Sequence, residues 1–193
     1  ISDFNNGSFS IIEGNKADAT IIFDRNYYRF QKTSLGIDLY LTVHRKIQVN
    51  SFYGLERYNK LYISTGINDY GKSTLIDAKV KTLKKNGDVI FTDTAGFSET
   101  SLPANTPFFY KKSGQVTLLA IPQLSIDDQV EYVYTLKFSY LINPKYFSYE
   151  NVLTTVVDAP CLEWKLQVEA KHFNVHLETA KNTDHDLNKY GAD

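Results

Sequence analysis

The run IPQLSIDDQVEYVYTLKFSYL at residues 121–141 constrains the fold more than any other stretch of the chain. Val130, Tyr132, Tyr134, Leu136 and Phe138 recur at a period of two, with Glu131, Val133, Thr135, Lys137 and Ser139 between them. Side chains alternate across a strand, so this spacing sets one apolar face against one mixed face, as in a half-buried strand of an antiparallel sheet. IDLYLTVHRKIQV at residues 37–49 repeats the pattern, with Ile37, Leu39, Leu41, Val43, Ile47 and Val49 on one face and Asp38, Tyr40, Thr42, His44, Lys46 and Gln48 on the other. Arg45 alone interrupts the apolar face. On so long a strand it is expected to reach the rim, its stem packed and its head in water.

Shorter strands are expected on either side. Residues 19–24 (ATIIFD) and 27–31 (YYRFQ) read as two strands joined by a turn at Asp24, Arg25 and Asn26. Residues 53–59 have room for one helical turn. Residues 74–84 and 89–92 flank Lys85-Asn86-Gly87-Asp88, and an Asn-Gly pair between β-rich runs is a hairpin signal. Residues 97–109, with Pro103 and Pro107, read as an irregular connection whose Phe97, Phe108 and Phe109 cover an edge or the core. Strands at 115–121, 129–141, 150–157, 161–170 and 173–178 complete a set of about ten, with no long amphipathic helix. The fold class is therefore all-β, an antiparallel β-sandwich with irregular connections and little helix. The 14 Tyr and 12 Phe suit pleated, half-buried surfaces. The organisation is a loose arm at 1–16, a single domain at 17–178, and a polar tail at 179–193 that is frayed or leads to a further domain.

Composition excludes several function classes. Among 193 residues, 42% are hydrophobic and 22% charged, as in an ordinary globular domain rather than a disordered chain. A formal net charge of −1 gives no cationic footprint, so no nucleic-acid partner is expected. No stretch approaches the roughly 18 consecutive apolar residues of a membrane helix, and no membrane insertion is expected. The chain starts at Ile1 without a leader and has no Met, so it reads as a processed product or an excised piece. The single Cys161 excludes an internal disulfide and a Cys-based zinc cluster.

The chemistry-bearing residues form no recognisable constellation. Cys161, with His172 and His176 nearby in sequence, opens a strand rather than a helix and reads as a small buried hydrophobe. His172 and His176 share a strand face but stand roughly 13 Å apart, too far to chelate one metal. Asp184, His185 and Asp186 read as solvated charge on the tail. Asp127, Asp128, Glu131 and Glu163 are carboxylates that no spacing pairs, and Glu131, between Val130 and Tyr132, reads as solvent-facing. Tyr27, Tyr28, Tyr40 and Trp164 are candidates for a sugar-stacking platform, although the lone Trp reads as core. His44 reads as a surface or network residue. There is no phosphate loop, nucleophile elbow or HExxH motif. No catalytic, cofactor-binding or metal-binding residue is assigned.

Three segments together resemble a known pattern: ADATIIFD at 17–24, LTVHRKIQV at 41–49, and IPQL at 121–124 leading to VEYVYTL at 130–136. They are similar to a domain-of-unknown-function family found N-terminal to transglutaminase-like domains in exported proteins of Gram-negative bacteria. The resemblance runs over residues 17–178. It implies an all-β accessory domain in the periplasm or at the cell surface, beside a cysteine hydrolase domain whose triad has no counterpart in these residues. His44 matches a signature position, and His44, Arg45, Glu131, Tyr132 and Tyr134 are the signature or interaction positions. The family has a Gly before the Val-x-Glu-Tyr strand where Asp127-Asp128 stand here, so a tight positive-φ turn is less secure. A non-catalytic partner of the hydrolase domain is the first reading and predicts an exposed apolar or aromatic patch. A glycan- or peptide-binding module is the second and predicts a groove with coplanar aromatics. An enzyme in its own right is the third and predicts a pocket of convergent polar groups at His44 or Cys161.

Overall fold

The two long alternating runs form strands that lie side by side at the centre of the molecule. The computed structural model describes Phe4 and residues 16–68, 71–101, 115–141 and 159–171. Its elements are β1 (Ala19–Lys32), β2 (Ile37–Val49), α1 (Phe52–Tyr58), β3 (Lys60–Asn68), β4 (Gly71–Leu83), β5 (Val89–Thr92), β6 (Ser98–Ser101), β7 (Gln115–Ala120), β8 (Gln129–Tyr140) and β9 (Trp164–Glu169). The fold is all-β. The hydrogen-bonded order is β6-β7-β3-β4-β8-β2-β1-β9, with β5 also on β4. β3 links two layers: it pairs with β7 over residues 60–65 and with β4 over 66–68. A larger sheet, β5/β4/β8/β2/β1/β9, thus meets a smaller one, β3/β7/β6. The core lies between them, with Ile21, Ile47, Val80, Val130 and Tyr132 from the larger sheet and Leu61, Ile63 and Leu119 from the smaller in one buried cluster. Burial of such side chains contributes roughly 1.5–3 kcal/mol each.

The Asn-Gly hairpin forms as its sequence predicts. Gly87 takes φ 94°, its N–H reaches the Lys84 carbonyl at 2.9 Å, and β4 and β5 pair from Val80↔Thr92 to Leu83↔Val89. The turn before β8 also takes a positive φ. Asp127 has φ 72°, a region open to Asp as well as Gly. The neighbouring Asp128 carboxylate secures the turn by accepting from the Ser125 N–H at 2.8 Å, the Lys85 N–H at 3.2 Å, and the Lys84 ammonium. Loss of glycine therefore does not loosen the turn.

Other expectations are corrected. Asp24, Arg25 and Asn26 make no turn. β1 runs through them, with a register shift between Ile21 and Phe23, because each faces a residue of β2 and Asp24 is fully buried against Arg45. β3 was not expected, since its buried Leu61 and Ile63 give too short an alternation. β6 occupies part of the connection read as irregular, while Phe97 does pack on the core. β9 runs parallel to β1, an exception to the antiparallel expectation. Phe4 is 1% exposed, while the rest of the arm read at 1–16, apart from Lys16, lies outside the described residues. The strands expected at 150–157 and 173–178, the tail, Pro103, Pro107, Phe108 and Phe109 lie outside the described residues.

α1 closes one end of the sandwich. The Ser51 hydroxyl accepts from the Gly54 N–H at 3.2 Å and donates to Asp18 at 2.6 Å. Gly54 packs against the Asp18 carbonyl so closely that a Cβ would come within 2.0 Å of that oxygen. Gly54→Ala is therefore expected to destabilise the fold by about 2–3 kcal/mol, the scale of an overpacked site, measured by urea unfolding. An unchanged midpoint would contradict the close approach.

Candidate functional site

Directly paired residues on neighbouring strands project to the same side of a sheet, so register alone assembles the outer face of the larger sheet, away from β3 and β7. One row crosses five strands as Phe23, Lys46, Glu131, Lys81 and Phe91. The next is Lys165, Arg25, His44, Val133 and Lys79. A third is Gln167, Tyr27, Thr42, Thr135 and Asp77.

The middle of the first row, with His44 of the second, is a buried ion network. Glu131 is 1% exposed, Lys81 2%, Lys46 5% and His44 7%. His44 Nε2 donates to Glu131 Oε1 at 2.8 Å, and Lys81 Nζ stands 3.2 Å from Oε2 as an ion pair without an aligned hydrogen bond. Phe4 covers the cluster. Its carbonyl accepts from Lys81 Nζ, its ring lies 4.4 Å from that ammonium, and its centroid is 6.0 Å from the His44 ring. Phe23 abuts His44 edge-on at 4.8 Å. Burial pushes the Lys46 ammonium below its ordinary range; Glu131 opposes this and Lys81 adds to it. Two ammoniums and an imidazole thus share one carboxylate in a low-dielectric layer.

Beyond the covered row the face opens. A cavity of about 440 Å³ is lined by Arg25, Tyr27, Thr42, His44, Lys165 and Gln167 with Asn26, from the second and third rows. Glu163 holds Arg25 through Nε at 2.8 Å and Nη2 at 3.3 Å, and this hydrogen bond keeps the Glu163 carboxyl below its ordinary range. The Tyr27 hydroxyl donates to Glu169, and burial, with that carboxylate, raises its pKa.

The sequence model of DUF3857, described as a domain of unknown function with a solved structure, matches residues 39–190. The chain belongs to this family. The match contains His44, Lys46, Lys81 and Glu131. No curated protein matches. Among solved structures, a Parabacteroides distasonis ATCC 8503 protein provisionally described as a protease overlays with a TM-score of 0.47 at 11% identity, over 67% of this chain and 24% of its own. Legionella pneumophila aminopeptidase A, in complex with aspartic acid, overlays with a TM-score of 0.30 at 9% identity, over 65% and 11%. The chain therefore spans less than a quarter of either protein.

In this DUF3857 chain the five signature positions divide between two faces. His44 and Glu131 meet on the outer face, and Glu131, 1% exposed beside Lys81 and Phe4, is not solvent-facing. Arg45, Tyr132 and Tyr134 lie on the inner face. Arg45 does not reach the rim, because Asp24 sits beside it and accepts from Nη2 at 2.7 Å. Burial opposes the Arg45 charge most strongly, yet Tyr132 and Asp24 raise its pKa above the ordinary range. At neutral pH, where tyrosine is uncharged, Asp24 is the effective partner. Tyr132 and Tyr134 stack at 6.1 Å.

Cys161 packs on the core side, opposite His44, so the two form no pair. Its thiol donates to the Glu163 carbonyl at 3.2 Å, and burial followed by the Asp24 charge raises its pKa, the reverse of an activated nucleophile. The aromatic platform is divided as well: Tyr27 and Tyr40 share the outer face, whereas Tyr28 and Trp164 take the opposite alternation. Trp164 is not core but 45% exposed. Asp127 pairs with Lys85 at 2.8 Å. Among the described residues no three His, Cys, Asp or Glu side chains gather as a metal site. His172, His176, Asp184, His185 and Asp186 lie outside the described residues. Lys46, Lys81 and Phe4 were missed by sequence reasoning. Lys46 on the polar face of β2 and Lys79 and Lys81 at period two on β4 were the available signal, but it has meaning only once strand order is known.

Two substitutions test the charge balance. Glu131→Gln is expected to cost about 3 kcal/mol, because the buried cations lose their carboxylate. Lys46→Met is expected to gain about 1 kcal/mol at neutral pH. The folded pKa of Lys46 lies below the unfolded 10.5, so its penalty is full below the folded value and fades as pH rises towards 10.5. Urea unfolding at neutral pH and at about pH 10 should show the Lys46→Met advantage shrinking. An advantage that grows with pH would contradict the assignment.

Proposed function

We propose that this chain is a non-catalytic accessory β-sandwich of a larger exported protein, seated in the periplasm or at the cell surface against a transglutaminase-like cysteine hydrolase domain. The observation that carries this reading is the presentation of Phe52 and Tyr53, 60% and 73% exposed, on the firmly anchored α1. Tyr53 also borders a cavity of about 260 Å³ with Arg57, Ala159 and Pro160. Large aromatics on a rigid element suit an interdomain contact, because little side-chain entropy is lost on docking. The sequence resemblance supports the same placement. Hydrogen exchange on the isolated chain and on the intact parent protein provides the test. Amides of α1 are expected to exchange at least tenfold more slowly in the parent, and Phe52→Ser with Tyr53→Ser should remove that protection. Identical exchange in both forms would end the reading.

A binding module for glycan or peptide is the second reading. The open cavity over β9, β1 and β2 favours it, because its volume falls in the range of small-ligand sites and Tyr27 supplies an aromatic wall.

A further inference from the structure

The outer-face cavity has a definite charge. Among the described residues that line it none is acidic, whereas Arg25, Lys165 and His44 bring two cations and an imidazole. Three described carboxylates bond to lining residues, and each has a cation beside it: Glu163 has Arg25, Glu131 has Lys81 besides His44, and Glu169, which accepts from Tyr27, has Lys171 at 4.0 Å. Arg25 is neutralised by Glu163 and held over the Phe23 ring at 4.4 Å. Lys165 has no carboxylate within ion-pair distance among the described residues, although its charge helps keep Glu163 ionised. Among the described residues the wall therefore carries one ammonium outside any direct ion pair, Lys165, beside the Gln167 amide and the Tyr27 ring.

We propose that this cavity binds the carboxylate of a small ligand of disaccharide or dipeptide size. The inference deepens the binding-module reading and rests on it. One ammonium outside any direct ion pair matches a monoanion, while a phosphate dianion calls for a second cation, and Glu163 already occupies Arg25. The volume of about 440 Å³ admits two sugar rings or two residues rather than a long polymer segment. His44 acts as a positioning residue. Its hydrogen bond to Glu131 fixes the imidazole at the cavity wall, and Glu131 is fixed in turn by Lys81 beneath Phe4.

The test is an amide-resolved NMR titration of the chain with glucuronate and with N-acetylglycylglycine, each beside its neutral counterpart, glucose or N-acetylglycylglycinamide, and with inorganic phosphate. One of the two carboxylates should shift the Thr42 and Gln167 amides saturably at roughly millimolar concentration, and which one does so identifies the source as sugar or peptide. The neutral counterpart should bind about tenfold more weakly or not at all, and Lys165→Glu should weaken the carboxylate by about tenfold with no change in melting temperature. A neutral counterpart that binds equally well in the cavity would leave the binding-module reading standing and overturn the carboxylate assignment. Phosphate that binds as tightly as the carboxylates, or indifference to Lys165→Glu, would overturn the assignment as well. Silence from every probe would remove both.

Discussion

The carboxylate of Glu131 is the group on which the outer half of the molecule depends. It sits on β8, between β2 and β4, and His44 and Lys81 reach it from those two strands. An isolated buried carboxylate is costly, and so are two buried ammoniums; only their juxtaposition makes the layer tolerable. That dependence also fixes register. A slip of one residue by β8 would turn Glu131 into the core beside Ile47 and Val80, and would leave Lys46 and Lys81 facing one another without an anion. The apolar alternation of β8 already disfavours the slip, and the ion row adds a penalty of a different physical kind.

The larger sheet is covered on its inner face and on part of its outer face by different means. On the inner face, Ile47, Val130 and Val80 meet the smaller sheet, and Asp24 and Arg45 are buried there as an ion pair. On the outer face Phe4 lies over the Lys81 ammonium with its ring and accepts from it with its carbonyl. An aromatic ring suits this place, because its face attracts an ammonium while its area excludes water. Phe4 is thus tied to the sheet by the same charge that it shields.

What could be read from the sequence follows the range of the interaction. The Asn86-Gly87 turn depends on four adjacent residues and was legible. The alternation of β2 and β8 depends on one strand each and was legible too. The continuity of β1 was not, because Asp24, Arg25 and Asn26 have turn chemistry in isolation and become strand residues only with β2 alongside. Glu131 was misread for the same reason. Alternation marks a face as polar, but only a distant cover, here Phe4, decides whether that polar face is wet. Asp127 shows the converse: the missing glycine suggested a looser turn, and the carboxylate of Asp128, with the backbone of residues 125 and 85 around it, supplied the order that sequence position alone did not reveal.

The arrangement of rows also explains why an open cavity adjoins a sealed network. Glu131 is the only acidic residue in its row, and the next row, Lys165, Arg25, His44, Val133 and Lys79, has none. The whole chain is nearly neutral, at −1, so this cationic surplus is local rather than global. Where the surplus is covered, burial depresses the Lys46 ammonium and Phe4 shields Lys81. Where it is uncovered, water must solvate it, and Glu163 from the approach to β9 offsets only Arg25. Lys165 is left at the boundary between the two regimes. A face that seals one row of charge and leaves the next one open separates scaffold from binding surface within a single sheet. Phe52 and Tyr53 stand on α1, a different element from the cavity strands, so a docked domain and a small anion need not compete for the same residues.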